Sequence, residues 1–316
     1  MKLQVYHRTH HAYAAPVRDS FNEARLEPVE SDQQTRQSFL LKVLPSTRLS
    51  HFHDFYRNCV HVIDLTAPHQ ELTVEATSVV ITRDLPPLAE DATPAPVTAL
   101  PACERLGECY DFLQPSTYVS STPEAWRLAL DLGAGHTDVW QIVLAIMRHL
   151  GSEFRYLPAV THVHTTMEEA LRLRQGVCQD FAQVMIGLCR ALKIPARYVS
   201  GYLYNGPADQ LKGTQATHAW VDVYLPGIGW RGVDPTNQQT VNQRYVKVAI
   251  GRDYADVSPL RGSYRGTASR KLSVEVLVTR LDSDEAAKDD PPPAPIGENA
   301  PWFASGHPQV QQPAST

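Results

Sequence analysis

Hydrophobic and polar positions change period three times along the chain, and each change marks a different kind of element. LTVEATSVVIT (Leu72–Thr82) partly alternates and is rich in β-branched residues, the pattern of a half-buried strand. SFLLKVLP (Ser38–Pro45) and VHVIDL (Val60–Leu65) read the same way. Turn residues separate these runs, so residues 1–83 predict a small antiparallel β-sandwich. Asp84–Pro101 then carries five Pro among small and acidic residues, the composition of an extended linker. Helical spacing follows over residues 102–193. Ser121–Leu132 opens with a Ser/Thr cap signal and a Pro in its first turn. Asp138–Leu150 places Val139, Ile142, Val143 and Ile146 on one helical face. Alternation returns in ARYVSGYLY (Ala196–Tyr204). HAWVDVYL (His218–Leu225) and WRGVDP (Trp230–Pro235) flank a PGIG turn and predict a hairpin. KLSVEVLVTR (Lys271–Arg280) predicts a last strand closing that sheet. From Ser283 the chain is polar and Pro-rich, too poor in apolar residues to order itself, and a loose tail is favoured over docking through Trp302 and Phe303.

The predicted class is α+β: an N-terminal antiparallel β-sandwich (1–83), a Pro-rich linker (84–101), an α+β unit (102–281) and a disordered tail (282–316). No internal repeat is visible. Composition narrows this picture modestly. The 316 residues are 43% hydrophobic and 20% charged, ordinary values for a soluble globular protein. A net charge of −5 argues against nucleic-acid binding. MKLQVYHRTH has no apolar run after its basic residue, and no stretch approaches about 20 apolar residues, so neither a signal peptide nor a membrane span is expected. The five cysteines (Cys59, Cys103, Cys109, Cys178 and Cys189) are odd in number and lack a Cys-x-x-Cys pair. Free thiols in a reducing cytoplasm are the simpler reading. A Cys103–Cys109 disulfide is the less favoured alternative.

One cysteine stands out by position. After RQGV (Arg174–Val177), residues Cys178, Ala182, Met185, Cys189 and Leu192 recur at intervals of three and four and share one apolar face. Cys178 therefore points inward at the first turn, beside the unpaired N–H groups of a helix start. The positive end of the helix dipole favours a thiolate there, and the same N–H groups can stabilise an oxyanion. A lone cysteine is more often a packing residue, and Cys189, three turns in, reads as core. Cys178 needs a base and a group to orient that base. His218 opens one arm of the predicted hairpin and Asp234 ends the other, so the three would meet across a helix–sheet interface. There is a geometric condition. If Leu225 pairs with Trp230 around a four-residue loop, Val221 faces Asp234 and His218 points to the other side. His218 and Asp234 share a face only if the loop has odd length or a strand carries a bulge, for which Gly232 is the candidate.

The run RQGVCQDFAQVMIGLCRALKIPARYVSGYLY, together with ATHAWVDVYLPGIGWRGVDPTNQ, closely resembles the bacterial transglutaminase-like family. The opening HHAYAAPVRDSFNEARLEPV resembles the β-rich N-terminal domain found in a subset of that family. The likeness covers residues 1–83 and about 137–250, and three motif blocks in order make it specific. It implies a papain-like, cysteine-peptidase-type core in which Cys178 is the nucleophile, His218 the general base and acid, and Asp234 the residue that orients the imidazole. It further implies acyl transfer through a thioester on a peptide or amide substrate. Peptidase or amidase hydrolysis is favoured, with glutamine transamidation and a non-catalytic binding scaffold as alternatives. Two positions depart from the family pattern. Gln183 stands where His is expected, and RNCV (Arg57–Val60) stands where a Gly-Asn turn is expected.

Other residues carry weaker signals. Gln175 could donate to an oxyanion, Tyr202 could line the cleft and Trp220 could wall the thiolate, although a core role suits the tryptophan about as well. His162 and His164 form a His-x-His pair with no third ligand in view, and His7, His10 and His11 are no better placed. No Asp-rich calcium loop is present. Neither a metal nor another cofactor is expected. No oligomeric state is implied.

Overall fold

In the computed structural model, residues 1–86, 88, 95–206, 217–266 and 269–281 are described. Most of the predicted linker's centre and the whole predicted tail, with Trp302 and Phe303, lie outside them.

The N-terminal unit holds β1 (Lys2–Ala24), β2 (Gln34–Leu44), β3 (Leu49–His53), β4 (Cys59–Leu65) and β5 (His69–Thr82). They form one sheet in the order β2-β5-β1-β4-β3. The expected sandwich is thus a single antiparallel sheet curled on itself. β1 makes the curl. Its first half pairs with β5, its second half with β4, and the register shifts between Ala12 and Val17. Tyr13, Val17, Ile63, Leu72, Val74 and Ala76 from both halves enclose a common core.

Short helices α1 (Leu100–Cys103) and α2 (Gly107–Tyr110) follow, so the predicted linker is already folded by Leu100, which is buried. Then come α3 (Pro123–Gly133) and α4 (Val139–Glu153). Their starts are set by side-chain caps. Thr122 accepts from Ala125 N–H at 3.1 Å, and Asp138 from Trp140 N–H at 2.9 Å. A two-residue strand β6 (Arg155–Tyr156), helix α5 (Met167–Leu173) and strand β7 (Gln175–Gly176) lead into α6 (Cys178–Ala191). Behind α6 lie β8 (Ala196–Leu203), β9 (His218–Leu225), β10 (Gly229–Asp234), β11 (Gln239–Thr240) and β12 (Tyr245–Gly251), in the sheet order β11-β10-β9-β8-β12. A single turn of helix, α7 (Tyr254–Val257), precedes β13 (Leu260–Arg265) and β14 (Arg270–Arg280).

The sequence pattern gave α6 one apolar face, but the structure buries Gln179 to Arg190 all round. The helix runs through the middle of the unit, with α3, α4 and α5 on one side and β8 and β9 on the other. Its polar side chains stay inside because each finds backbone partners. Gln179 donates to Val163 O at 3.0 Å and Gln183 to Thr165 O at 3.2 Å. The Arg190 guanidinium donates to the carbonyls of Phe112, Gln114, Ala196 and Arg252.

Lys271–Arg280 corrects a sequence expectation. It was expected to close the C-terminal sheet, but as β14 it pairs along β1 from Leu3↔Arg280 to Tyr13↔Arg270, and β13 also pairs β1. A strand's pattern records one buried face and not the sheet that buries it. The edge strand β12 is covered by amides from the N-terminal sheet. Gln34 exchanges hydrogen bonds with the Lys247 backbone, and Asn58 with the Ile250 backbone at 2.8 Å in both directions.

Candidate active site

The β9–β10 hairpin decides whether a triad can form. Its register pairs Leu225 with Gly229, Trp230 with Tyr224 and Val233 with Val221. The loop is therefore the odd-numbered Pro226–Ile228 rather than the four residues PGIG. Ile228 N–H closes the turn on Leu225 O at 3.0 Å. Gly227 and Gly229 both take positive φ, 76° and 93°, which only glycine adopts without strain. The turn chemistry thus sets the register, and Asp234 shares a face with Trp220 and His218. Gly232 carries no bulge in that pairing.

His218 Nε2 and Asp234 Oδ2 lie 2.7 Å apart. Asp234 is fully buried, yet five donors satisfy it. Its Oδ2 also accepts from Asn237 Nδ2 and from the Tyr245 hydroxyl, each at 2.7 Å, and its Oδ1 accepts from the N–H groups of Thr236 and Asn237. Burial alone would raise this carboxyl, but those bonds and the imidazole's charge hold it below its ordinary value. Burial alone would likewise depress His218. Its hydrogen bonds to Asp234 and Cys178 outweigh that and raise the imidazolium to about 10. Because Nε2 is committed to Asp234, the nitrogen left for the thiol is Nδ1.

The expected meeting place needs one correction. Ala219, Val221 and Val223 of β9 pack in the core around α6, whereas Trp220 packs with Val199 and Tyr245 in a separate cluster. His218 stacks on Trp220 at 6.2 Å between ring centroids and tilts against Tyr245 at 6.2 Å. The pair therefore lies on the sheet face turned away from α6. It meets Cys178 where β9 and α6 both begin, not in the middle of the interface.

Cys178 is the first residue of α6 and is only partly buried, unlike Cys59, Cys103, Cys109 and Cys189. Its helix start is fixed by Asp180, whose Oδ2 accepts from Val177 N–H and from Thr161 Oγ1, both at 2.7 Å. This is half of a capping box. Gly176 leaves space for it, because a Cβ there would overlap the Asp180 side chain. Burial raises the Asp180 carboxyl despite these bonds. Cys189 on the same helix shows the contrast: complete burial pushes its thiol up to about 12.

The remaining candidates separate clearly. Trp220 is fully buried beneath His218. Gln175 sits on β7, opposite Arg155 and three residues before Cys178. Tyr202 does not line the cleft. It is buried among Leu3, Val5, Val80, Val246 and Val248 between the two sheets, and its hydroxyl bonds His7 Nδ1 at 2.8 Å. His7 also bonds Thr9 and His10 bonds Thr73, whereas His11 is buried with its Nδ1 unpartnered among the described residues. His162 and His164 lie on a turn rather than a strand. His164 N–H donates to His162 Nδ1 at 3.2 Å, and Tyr118 bonds His164 Nδ1 at 2.9 Å.

Sequence reasoning missed four residues. Tyr245 and Asn237 hold Asp234, and Asp180 holds the helix start. Tyr156, on β6 opposite Gly176, is the fourth. Partial burial of its ring, beside Cys178 and Asp180, raises its phenol. Asn237, inside the run ending GWRGVDPTNQ, and Asp180, inside RQGVCQDFA, carried a local signal; Tyr245 and Tyr156 did not.

With this geometry the relatives become informative. The Transglutaminase-like superfamily profile matches residues 127–235, and the Bacterial transglutaminase-like N-terminal region profile matches residues 3–81. An uncharacterised protein of Mycobacterium leprae is 36% identical over 283 residues, spanning 89% of this chain and 99% of its own. The chain belongs to the transglutaminase-like superfamily. The crystal structure of a candidate cysteine protease from Cytophaga hutchinsonii is similar in fold, with TM-score 0.74, 25% identity and coverage of 90% of this chain and 92% of that one. A protein-glutamine gamma-glutamyltransferase of Pseudomonas aeruginosa is 34% identical over 158 residues, 46% of this chain and 23% of that protein.

Proposed function

We propose that this transglutaminase-like chain cleaves amide bonds by thiol-dependent acyl transfer, with Cys178 as nucleophile, His218 as general base and acid, and Asp234 as the residue that orients and charges the imidazole. The observation that carries this reading is an imidazole bonded to a buried carboxylate on Nε2 at 2.7 Å while its other side interacts with a thiol at a helix start. His218 takes the proton of Cys178, and the sulfur attacks the carbonyl carbon of a peptide or carboxamide. The unpaired N–H groups at the start of α6 are donors for the developing oxyanion. His218 then returns the proton to the leaving amine, and a thioester remains on Cys178. Water, deprotonated by His218, releases the acid and restores the thiol.

A second reading is transamidation, in which an amine replaces water, and the likeness to the Pseudomonas gamma-glutamyltransferase favours it. The partner in either case is a peptide or amide substrate. The cytoplasmic location rests on the cysteine count alone, and fractionation of cells carrying the tagged protein tests it. For the chemistry, the test is thioester trapping on glutamine and peptide substrates with and without added amine. Wild type should form a mass adduct on Cys178 that Cys178→Ala lacks. Product acid independent of amine identifies hydrolysis, amide product identifies transamidation, and no adduct with any acyl donor counts against both.

A further inference from the structure

The β3–β4 hairpin carries a second cluster of reactive side chains, in the N-terminal sheet and separate from the proposed triad. Its register places His51 opposite His61 and His53 opposite Cys59. Opposed residues share a face, so three imidazoles and a thiol lie on one side of this hairpin. Glu27, from the segment after β1, joins them. His61 Nε2 lies 3.4 Å from Glu27 Oε2, and Cys59 Sγ lies 4.0 Å from His61 Nδ1. One ligand atom each from Glu27, Cys59 and His61 falls within 4.8 Å of the other two. Arg36 holds the second carboxylate oxygen, Oε1, at 2.6 Å, which orients Oε2 toward the cluster. Glu27, Cys59 and His53 also line a cleft of about 720 Å³ that gives access to solvent.

We propose that Glu27, Cys59 and His61 hold a zinc ion, with the fourth coordination position turned to the cleft and filled by water. The donor set selects the metal. A thiolate, an imidazole and a carboxylate together suit zinc, whereas calcium and magnesium take oxygen ligands throughout. Binding displaces the Cys59 thiol proton to solvent, and no electron moves. His61 offers one nitrogen only, and Nε2 is the one already directed at Glu27. Arg36 acts as the outer partner that fixes a ligand carboxylate. The place in the fold suggests the use. Asn58, the neighbour of Cys59, makes the paired hydrogen bonds to Ile250 of β12. An ion on this hairpin braces the point where the N-terminal sheet docks on the C-terminal one.

The test uses the full chain, freed of any purification tag and dialysed against a chelator. Zinc is titrated in competition with a chromophoric chelator, and cobalt is then added as a spectroscopic probe. Wild type, Cys178→Ser and His162→Ala should each bind one equivalent and show thiolate-to-cobalt charge-transfer absorption. Cys59→Ser should abolish that absorption, and both Cys59→Ser and His61→Ala should weaken zinc by at least about tenfold. Zinc should also raise the melting temperature of wild type, and of the two ligand variants far less. Circular dichroism confirms that these variants fold. Absence of a thiolate–cobalt band in wild type overturns the proposal, whatever the variants do. So does a band that survives in Cys59→Ser or one that disappears in Cys178→Ser.

Discussion

Asp222 on β9 and Asp234 on β10 are both buried carboxylates on one face of one sheet, 2% and 0% exposed. Their partners differ. Asp222 is bonded by Arg197 at 3.0 Å and by Lys247, and Arg197 lies over the Trp230 ring at 4.0 Å. Asp234 is bonded by an imidazole, a phenol, a carboxamide and two backbone N–H groups. Burial would raise both carboxyls, and in both the partners win and keep the acid ionised. The Arg197 guanidinium beside Asp222 does not lose its proton, although burial lowers the Lys247 ammonium, so Asp222 always keeps a counter-charge and the cluster is a brace between β8, β9 and β12. The cation at Asp234 forms only when His218 holds its proton. The proposed triad needs the first kind of carboxylate, one whose partner can gain and lose a proton next to a thiol, and not one held by arginine and lysine.

Substitutions at the two aspartates should therefore fail in opposite ways. Asp234→Asn should lower kcat/KM by roughly 10³–10⁴ while the chain still folds, by analogy with the loss seen when a triad carboxylate is neutralised. Steady-state amidase assays and circular dichroism check this. Asp222→Asn should cost about 3–5 kcal/mol of stability, because Arg197 and Lys247 stay buried without their counter-charge. Its activity per folded molecule should remain near wild type, and urea denaturation with active-site titration measures both. If Asp222→Asn proves as inactive as Asp234→Asn, the division of roles fails. Tyr245→Phe removes one bond to the charged carboxylate and should cost about 1.5–3 kcal/mol. Trp230→Leu removes the ring beneath Arg197 and should cost about 0.5–2 kcal/mol, with activity retained. The gentlest test is pH. His218 is raised when folded, so the stability it contributes is complete below its unfolded value near 6.5 and fades as pH rises toward about 10. The advantage of wild type over His218→Gln, read from urea midpoints, should shrink between pH 6 and pH 10.

The legible parts of the sequence were those with a strict local pattern. The helix start at Cys178, the Ser/Thr cap ahead of Pro123 and the motif blocks could be read directly. So could the condition on the hairpin, because period-two geometry leaves only odd loops or bulges open. What remained hidden depended on distant partners. β1 escaped because its inward positions include His7, Thr9 and His11, which look polar although all three are buried, His7 bonding both Tyr202 and Thr9. Tyr202 itself alternates like a cleft residue, yet the N-terminal sheet covers it. Tyr245 lies on a strand separate from the hairpin, and nothing local links it to Asp234. β14 had a sound strand pattern and the wrong destination.

The central claim is that His218 joins Cys178 to Asp234, and the rate of iodoacetamide labelling at pH 6 tests it most directly. An ordinary thiol is only about 0.3% thiolate at that pH. Peptide mass spectrometry of wild type should show Cys178 labelled about 10² faster than in His218→Gln, with Cys189 unlabelled in both. Equal Cys178 labelling rates in wild type and His218→Gln would contradict the triad.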